Sequence, residues 1–72
     1  MTKKEINKLL TKVINGRRGV SIKCTGDGVY RLYDGLDTFT AVFISNAIRL
    51  AADYFTGITV DCDGRAYMLF NF

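Results

Sequence analysis

Apolar residues recur along the first segment at the spacing of a helix. Ile6, Leu9, Leu10, Val13 and Ile14 follow the i, i+3, i+4, i+7, i+8 rule and so line one side of an α-helix. Thr2 and Glu5 stand three apart, the capping-box spacing in which each side chain takes a free backbone N–H at the helix start. Gly16 supplies a left-handed stop. The opposite side carries Lys4, Lys8, Thr11 and Lys12, with Lys3 and Asn7 beside them.

The period then changes to two. Val20, Ile22 and Cys24 alternate with Ser21, Lys23 and Thr25, and Tyr30 and Leu32 alternate with Val29, Arg31 and Tyr33. This is the signature of half-buried strands. A three-residue turn at Gly26-Asp27-Gly28 predicts a hairpin with Cys24 opposite Tyr30 and Ile22 opposite Leu32. Val20, Ile22, Cys24, Tyr30 and Leu32 then share the inward face.

Asp34-Gly35 breaks the strand. Asp37 or Thr38 is placed to cap a second helix running to about Phe55. From Phe39 to Phe55, twelve of seventeen positions are apolar. Ser45, Asn46, Arg49 and Asp53 form its polar strip, with Arg49 and Asp53 at i, i+4. A helix apolar nearly all round is covered on several sides, and in so small a domain another chain is expected to supply part of the cover.

Thr56-Gly57 ends this helix. Ile58, Val60 and Cys62 alternate with Thr59 and Asp61, and Asp63-Gly64 has the composition of a two-residue type I′ turn. That turn pairs Val60 with Tyr67 and Ile58 with Leu69. Tyr67 and Leu69 then face inward, while Val29, Tyr33, Met68, Phe70 and Phe72 point outward. Asp61 falls mid-strand and outward, where a charge guards an edge against aggregation.

The halves match. Each is a helix followed by a hairpin, and Val20, Ile22, Cys24, Tyr30 and Leu32 correspond to Ile58, Val60, Cys62, Tyr67 and Leu69. The expected fold is one α+β domain over residues 1–72. It is a duplicated αββαββ unit (pseudo-repeats 2–35 and 37–72), with a four-stranded antiparallel sheet and two helices on one face.

Composition narrows the function. A 72-residue chain buries only about 60% of the surface that its unfolded form exposes, so a staple or a partner is expected. Two cysteines and no histidine make neither a disulfide framework nor an ordinary zinc site. Cys24 and Cys62 read as small apolar residues. The remaining route to stability is a homodimer. No signal-type or membrane-spanning segment is evident, so a cytoplasmic setting is expected, with no membrane role.

Charge is uneven. Six of the ten basic residues (Lys3, Lys4, Lys8, Lys12, Arg17 and Arg18) lie in the first eighteen positions against Glu5 alone. Lys4, Lys8, Lys12, Arg17 and Arg18 are therefore candidate phosphate contacts for a nucleic acid. They serve equally as a solvated face.

Catalytic chemistry finds little support. Asp27, Asp34, Asp37, Asp61 and Asp63 cluster near turns, where Asp bonds the local backbone. Gly28-Val29-Tyr30 matches only the first half of the GIY-YIG nuclease signature, and its second half is missing. Residues 65–72 resemble the RNP1 strand of RRM domains at Arg65, Tyr67 and Phe72 but depart from it at Met68, Leu69 and Phe70. The expectation is a non-enzymatic protein–protein interaction module without metal or cofactor, homodimeric and able to dock another protein. Tyr33, Phe43, Met68, Phe70 and Phe72 are the expected anchors. Its size and style suit a phage or mobile-element inhibitor of a host system. Nucleic-acid binding through the first helix is the alternative.

Overall fold

The capping box forms as the sequence predicts. Glu5 N donates to Thr2 Oγ1 at 3.2 Å, and Thr2 N donates to Glu5 Oε1 at 3.1 Å. The computed structural model describes residues 1–35 and 39–72. Its elements are α1 (Lys3–Ile14), β1 (Val20–Gly26), β2 (Val29–Asp34), α2 (Ala41–Ala51), β3 (Phe55–Val60) and β4 (Ala66–Asn71). The left-handed stop of α1 begins one residue early, at Asn15 (φ 52°), and Gly16 continues it.

Helix α2 is shorter than its apolar run. Thr40 caps it, accepting from Phe43 N at 3.2 Å. The expected caps Asp37 and Thr38 lie outside the described residues. The helix stops at Ala51, and Tyr54 N closes the last turn onto Ala51 O at 3.0 Å. Phe55 and Thr56 go into β3, and Gly57 lies at a bulge between Phe55 and Gly57 rather than ending a helix. Phe55 and Thr56 suit a strand at least as well as a helix, so tertiary pairing decides.

The four strands form one antiparallel sheet in the order β1-β2-β4-β3. Tyr30 pairs with Phe70 and Leu32 with Met68 across its centre. All four join a buried cluster with Ile6, Leu10 and Val13 of α1 and Phe43, Ala47 and Ala51 of α2. Both helices therefore lie on one face. Strands β2 and β4 are central because they carry large side chains on both faces, whereas β1 and β3 are edges with mostly exposed residues.

The two hairpin loops exchange the lengths expected of them. In the first, Asp27-Gly28 is a two-residue loop, and a bulge between Cys24 and Gly26 restores the expected pairs Cys24–Tyr30 and Ile22–Leu32. In the second, the loop is Cys62-Asp63-Gly64. Asp61 N donates to Arg65 O at 2.9 Å, and Gly64, at φ 80°, donates to Asp61 O at 3.0 Å. This is the three-residue turn with a left-handed glycine. The Asp61 carboxylate selects it, because Oδ1 accepts from Asp63 N at 2.9 Å and Arg65 N at 3.0 Å.

One extra loop residue slides β4 by one and turns it over. Val60 pairs with Ala66, Thr59 with Tyr67 and Ile58 with Met68. Met68 and Phe70 thus face the helices, and Tyr67 and Leu69 face outward, the reverse of the sequence expectation. Cys62 sits in the loop, so it is not the strand equivalent of Cys24.

Candidate interaction surfaces

The middle of the outer sheet face is filled by its own side chains. Tyr33 and Tyr67 pair across β2 and β4 with ring centroids 5.4 Å apart. The Arg31 guanidinium lies 4.3 Å from the Tyr67 ring centre, and that of Arg65 lies 4.9 Å from the Tyr33 ring centre. Arg31 Nη1 donates to the Tyr33 hydroxyl at 3.1 Å, which donates to Asp61 Oδ2 at 3.0 Å. Cations over ring faces and a charge-assisted hydrogen bond hold the layer together.

Asp61 is thus the hub of both loop and layer. The hydrogen bond from the Arg65 backbone N–H holds its carboxyl below the ordinary value, against partial burial, with help from the Tyr33 hydroxyl and the Asp63 N–H. The hydrogen bond to the Tyr33 hydroxyl likewise raises Arg31 above its ordinary value. A strand position in the sequence pattern hid this role, because Asp61 becomes a turn residue only in the longer loop.

Four of the five expected protein anchors lie on the helix side. Phe43, Met68 and Phe70 are core residues at 4%, 0% and 0% exposure. Phe72 is half-buried against the core, 5.7 Å from the Tyr30 ring and 4.9 Å from that of Tyr54. Met68, Phe70 and Phe72 are therefore corrected from outward to inward. Tyr33 does lie on the outer face, but it is buried beneath the layer of arginine and tyrosine.

The exposed apolar side chains lie elsewhere. Ile48 is 51% exposed, Ile58 42% and Val60 61%, while Val42 on the other flank of α2 is 71% exposed and Ile22 on β1 38%. Ile58 and Val60 project from β3 to the helix side, as their partners Met68 and Ala66 show. A groove between the helices is lined by Val13, Ile14, Val42 and Asn46, so Val42 and Asn46 mark the flank of α2 turned toward α1. At about 100° per residue, Ile44 and Ile48 fall on the opposite flank, where with Ala41, Ser45 and Arg49 they line a shallow, mostly apolar surface. Helix α2 also packs against β3. Ile44 and Ile48 therefore lie on the flank of α2 away from α1, and Ile58 and Val60 on the helix side of β3, the strand that α2 packs against. The high apolar content of residues 39–55 signalled this excess, but not its place.

The basic face divides. Lys4, Lys8, Lys12 and Arg18 are exposed. Arg17 turns inward: its Nε lies 2.7 Å from Oδ2 of Asp34, a carboxylate only 1% exposed, and its guanidinium lies 5.7 Å from the centre of the Phe43 ring. Arg17, expected among the phosphate contacts, is thus engaged within the fold and does not share the exposure of the lysines.

A groove of about 290 Å³ runs between the start of α1 and the first hairpin, lined by Met1, Lys3, Ile6, Cys24, Tyr30 and Phe72 among others. The Cys24 thiol donates to Gly26 O at 3.1 Å. Burial first, and then Cys24, pushes the Tyr30 phenol above its ordinary value. Cys24 and Cys62 are both free and exposed, Cys24 on the edge strand β1 and Cys62 in the loop between β3 and β4. Among the described residues, no three His, Cys, Asp or Glu side chains converge as a metal site, and no helix is long and apolar enough to cross a membrane. No protein-family model, curated protein or solved structure matches the chain.

Proposed function

We propose that the chain is a non-enzymatic protein–protein interaction module that acts as a homodimer. One observation carries this reading: Ile48, Ile58 and Val60 are exposed apolar residues on α2 and the neighbouring edge strand β3, while the middle of the outer sheet face is filled by Tyr33 and Tyr67 with Arg31 and Arg65. A contiguous exposed apolar area on a small domain marks an association surface. Sedimentation of the 8.1 kDa chain at about 100 μM, well above the micromolar Kd of a modest interface, should give the mass of two chains. A monomer at that concentration removes the homodimer.

The architecture fits one helix–hairpin unit used twice. Each helix precedes its hairpin, and each hairpin places its second strand at the centre of the sheet.

Nucleic-acid binding is the second reading, favoured by the exposed stripe of Lys4, Lys8 and Lys12 with Arg18 nearby. It requires a gel shift at low salt that weakens steeply as salt rises and is lost in Lys8→Glu/Lys12→Glu. A blank gel at low salt overturns it.

A further inference from the structure

We infer that a second copy of this chain docks on the β3 edge, with β3 antiparallel to its counterpart, so that two four-stranded sheets join into one of eight strands. The inference rests on the interaction-module reading and adds the geometry of the contact.

Strands β1 and β3 are the two edges of the sheet, where backbone groups can accept a further strand, and β3 is chemically more open to a like copy. Strand β1 carries Lys23 at its middle, and charged edge residues discourage strand addition. Strand β3 reads Phe-Thr-Gly-Ile-Thr-Val, without a charge. Its bulge is confined to Phe55–Gly57, and from Ile58 to Val60 the pairing with β4 is regular.

Charge makes the same choice on a larger scale. Lys3 and Ile6 of α1 share a groove with Cys24, Gly26 and Tyr30, so the basic helix lies toward the β1–β2 side of the sheet. Joining two copies through β1 would bring two lysine-rich helices and two Lys23 side chains together. Joining them through β3 sends both α1 helices to the far ends of the assembly, where like charges are screened from one another.

Two-fold symmetry completes the fit. An isologous contact needs a surface complementary to itself. A two-fold axis perpendicular to the sheet at Thr59 sets each Ile58 opposite the partner's Val60. Both lie on the helix side, so the apolar residues of the two β3 strands meet on one face. Cross-strand β-branched pairs of this type stabilise a sheet.

The test uses the full chain with Cys24→Ser and Cys62→Ser, both at exposed thiols. Directly opposed antiparallel residues stand about 4.5–5.5 Å apart at Cα, inside the reach of a disulfide. Mild oxidation of Thr59→Cys should therefore give a covalent dimer, and Ser21→Cys on β1 should not. Val60→Lys, at an exposed position, should weaken dimerisation by about tenfold or more with an unchanged circular dichroism spectrum. A dimer that links through position 21 and not through 59, or that Val60→Lys leaves intact, overturns the strand pairing while the homodimer stands. A monomer in sedimentation overturns both.

Discussion

Arg17 and Asp34 form an ion pair across the base of the fold, Nε to Oδ2 at 2.7 Å, and it ties the loop after α1 to the end of β2. The Arg17 guanidinium also lies above Phe43 of α2, so one side chain links three elements. The pair is asymmetric: Arg17 keeps 28% of its side-chain surface, whereas Asp34 keeps 1%.

That asymmetry sets the first prediction. Arg17→Met keeps the stem and removes the cation from a buried carboxylate. Breaking a fully buried pair costs about 3–5 kcal/mol, and the partial exposure of Arg17 lowers the expected loss to about 2–3 kcal/mol. Arg18→Met, at the exposed neighbour, should stay within about 0.5 kcal/mol. Urea denaturation of the two variants separates the cases, and equal midpoints would show that the pair adds nothing.

The lysine stripe should behave differently. Lys8 is exposed in the middle of α1, and Lys12 stands in its last turn. Lys8→Glu is expected to leave stability within about 0.5 kcal/mol. Lys12→Glu places a negative charge at the negative end of the helix dipole and should cost about 0.3–1 kcal/mol. Neither should alter the dimer mass, because α1 lies away from β3. A charge-reversed chain that turns monomeric would move the association surface onto α1.

The direction of β4 is testable by truncation. Met68 is fully buried and Leu69 is half-exposed on the outer face. Met68→Ala should cost about 2–4 kcal/mol through the cavity that it leaves, and Leu69→Ala about 1 kcal/mol through lost apolar cover. Thermal or urea unfolding reads both. A larger loss at Leu69 than at Met68 would restore the two-residue turn and the opposite facing.

What could be read from the pattern is clearest at this strand. Alternation located both hairpins, and it placed Cys24 opposite Tyr30 in the first. It could not choose between facings in Tyr67-Met68-Leu69-Phe70, because all four are large and apolar and the strand is covered on both sides. The choice fell to a loop, and the loop to hydrogen bonds from Asp63 N and Arg65 N to Asp61, which composition does not reveal. The composition Asp63-Gly64 favours the shorter turn equally well. Helix α1 was readable because its Thr2–Glu5 box and single apolar stripe agree. Helix α2 was not bounded by its sequence, since its apolar run continues past Ala51 into β3. Met68 and Phe70, expected on the outer face, turn inward by one step of register. Asp34 is a buried carboxylate that the pattern does not reveal, because Asp-Gly is also an ordinary turn pair.

Asp61 gives the chain a predictable acid response. Its carboxyl is held below the ordinary value in the folded state, chiefly by the Arg65 N–H. Such a group contributes stability that is fully present above the unfolded carboxylate value of about 3.9. That contribution is lost as pH falls through the lower folded value, because the unfolded chain then binds the proton first. Asp61→Asn keeps the size but lacks the charge, so it should melt below the parent at neutral pH. The two melting temperatures should draw together as pH falls below about 4. Glu5 is also lowered, by its hydrogen bond from Thr2 N, but it titrates in both proteins and cancels in the difference. A gap between parent and variant that stays constant down to pH 2 would mean that Asp61 acts through shape alone and that its charge does not hold the Tyr33 and Arg65 layer in place.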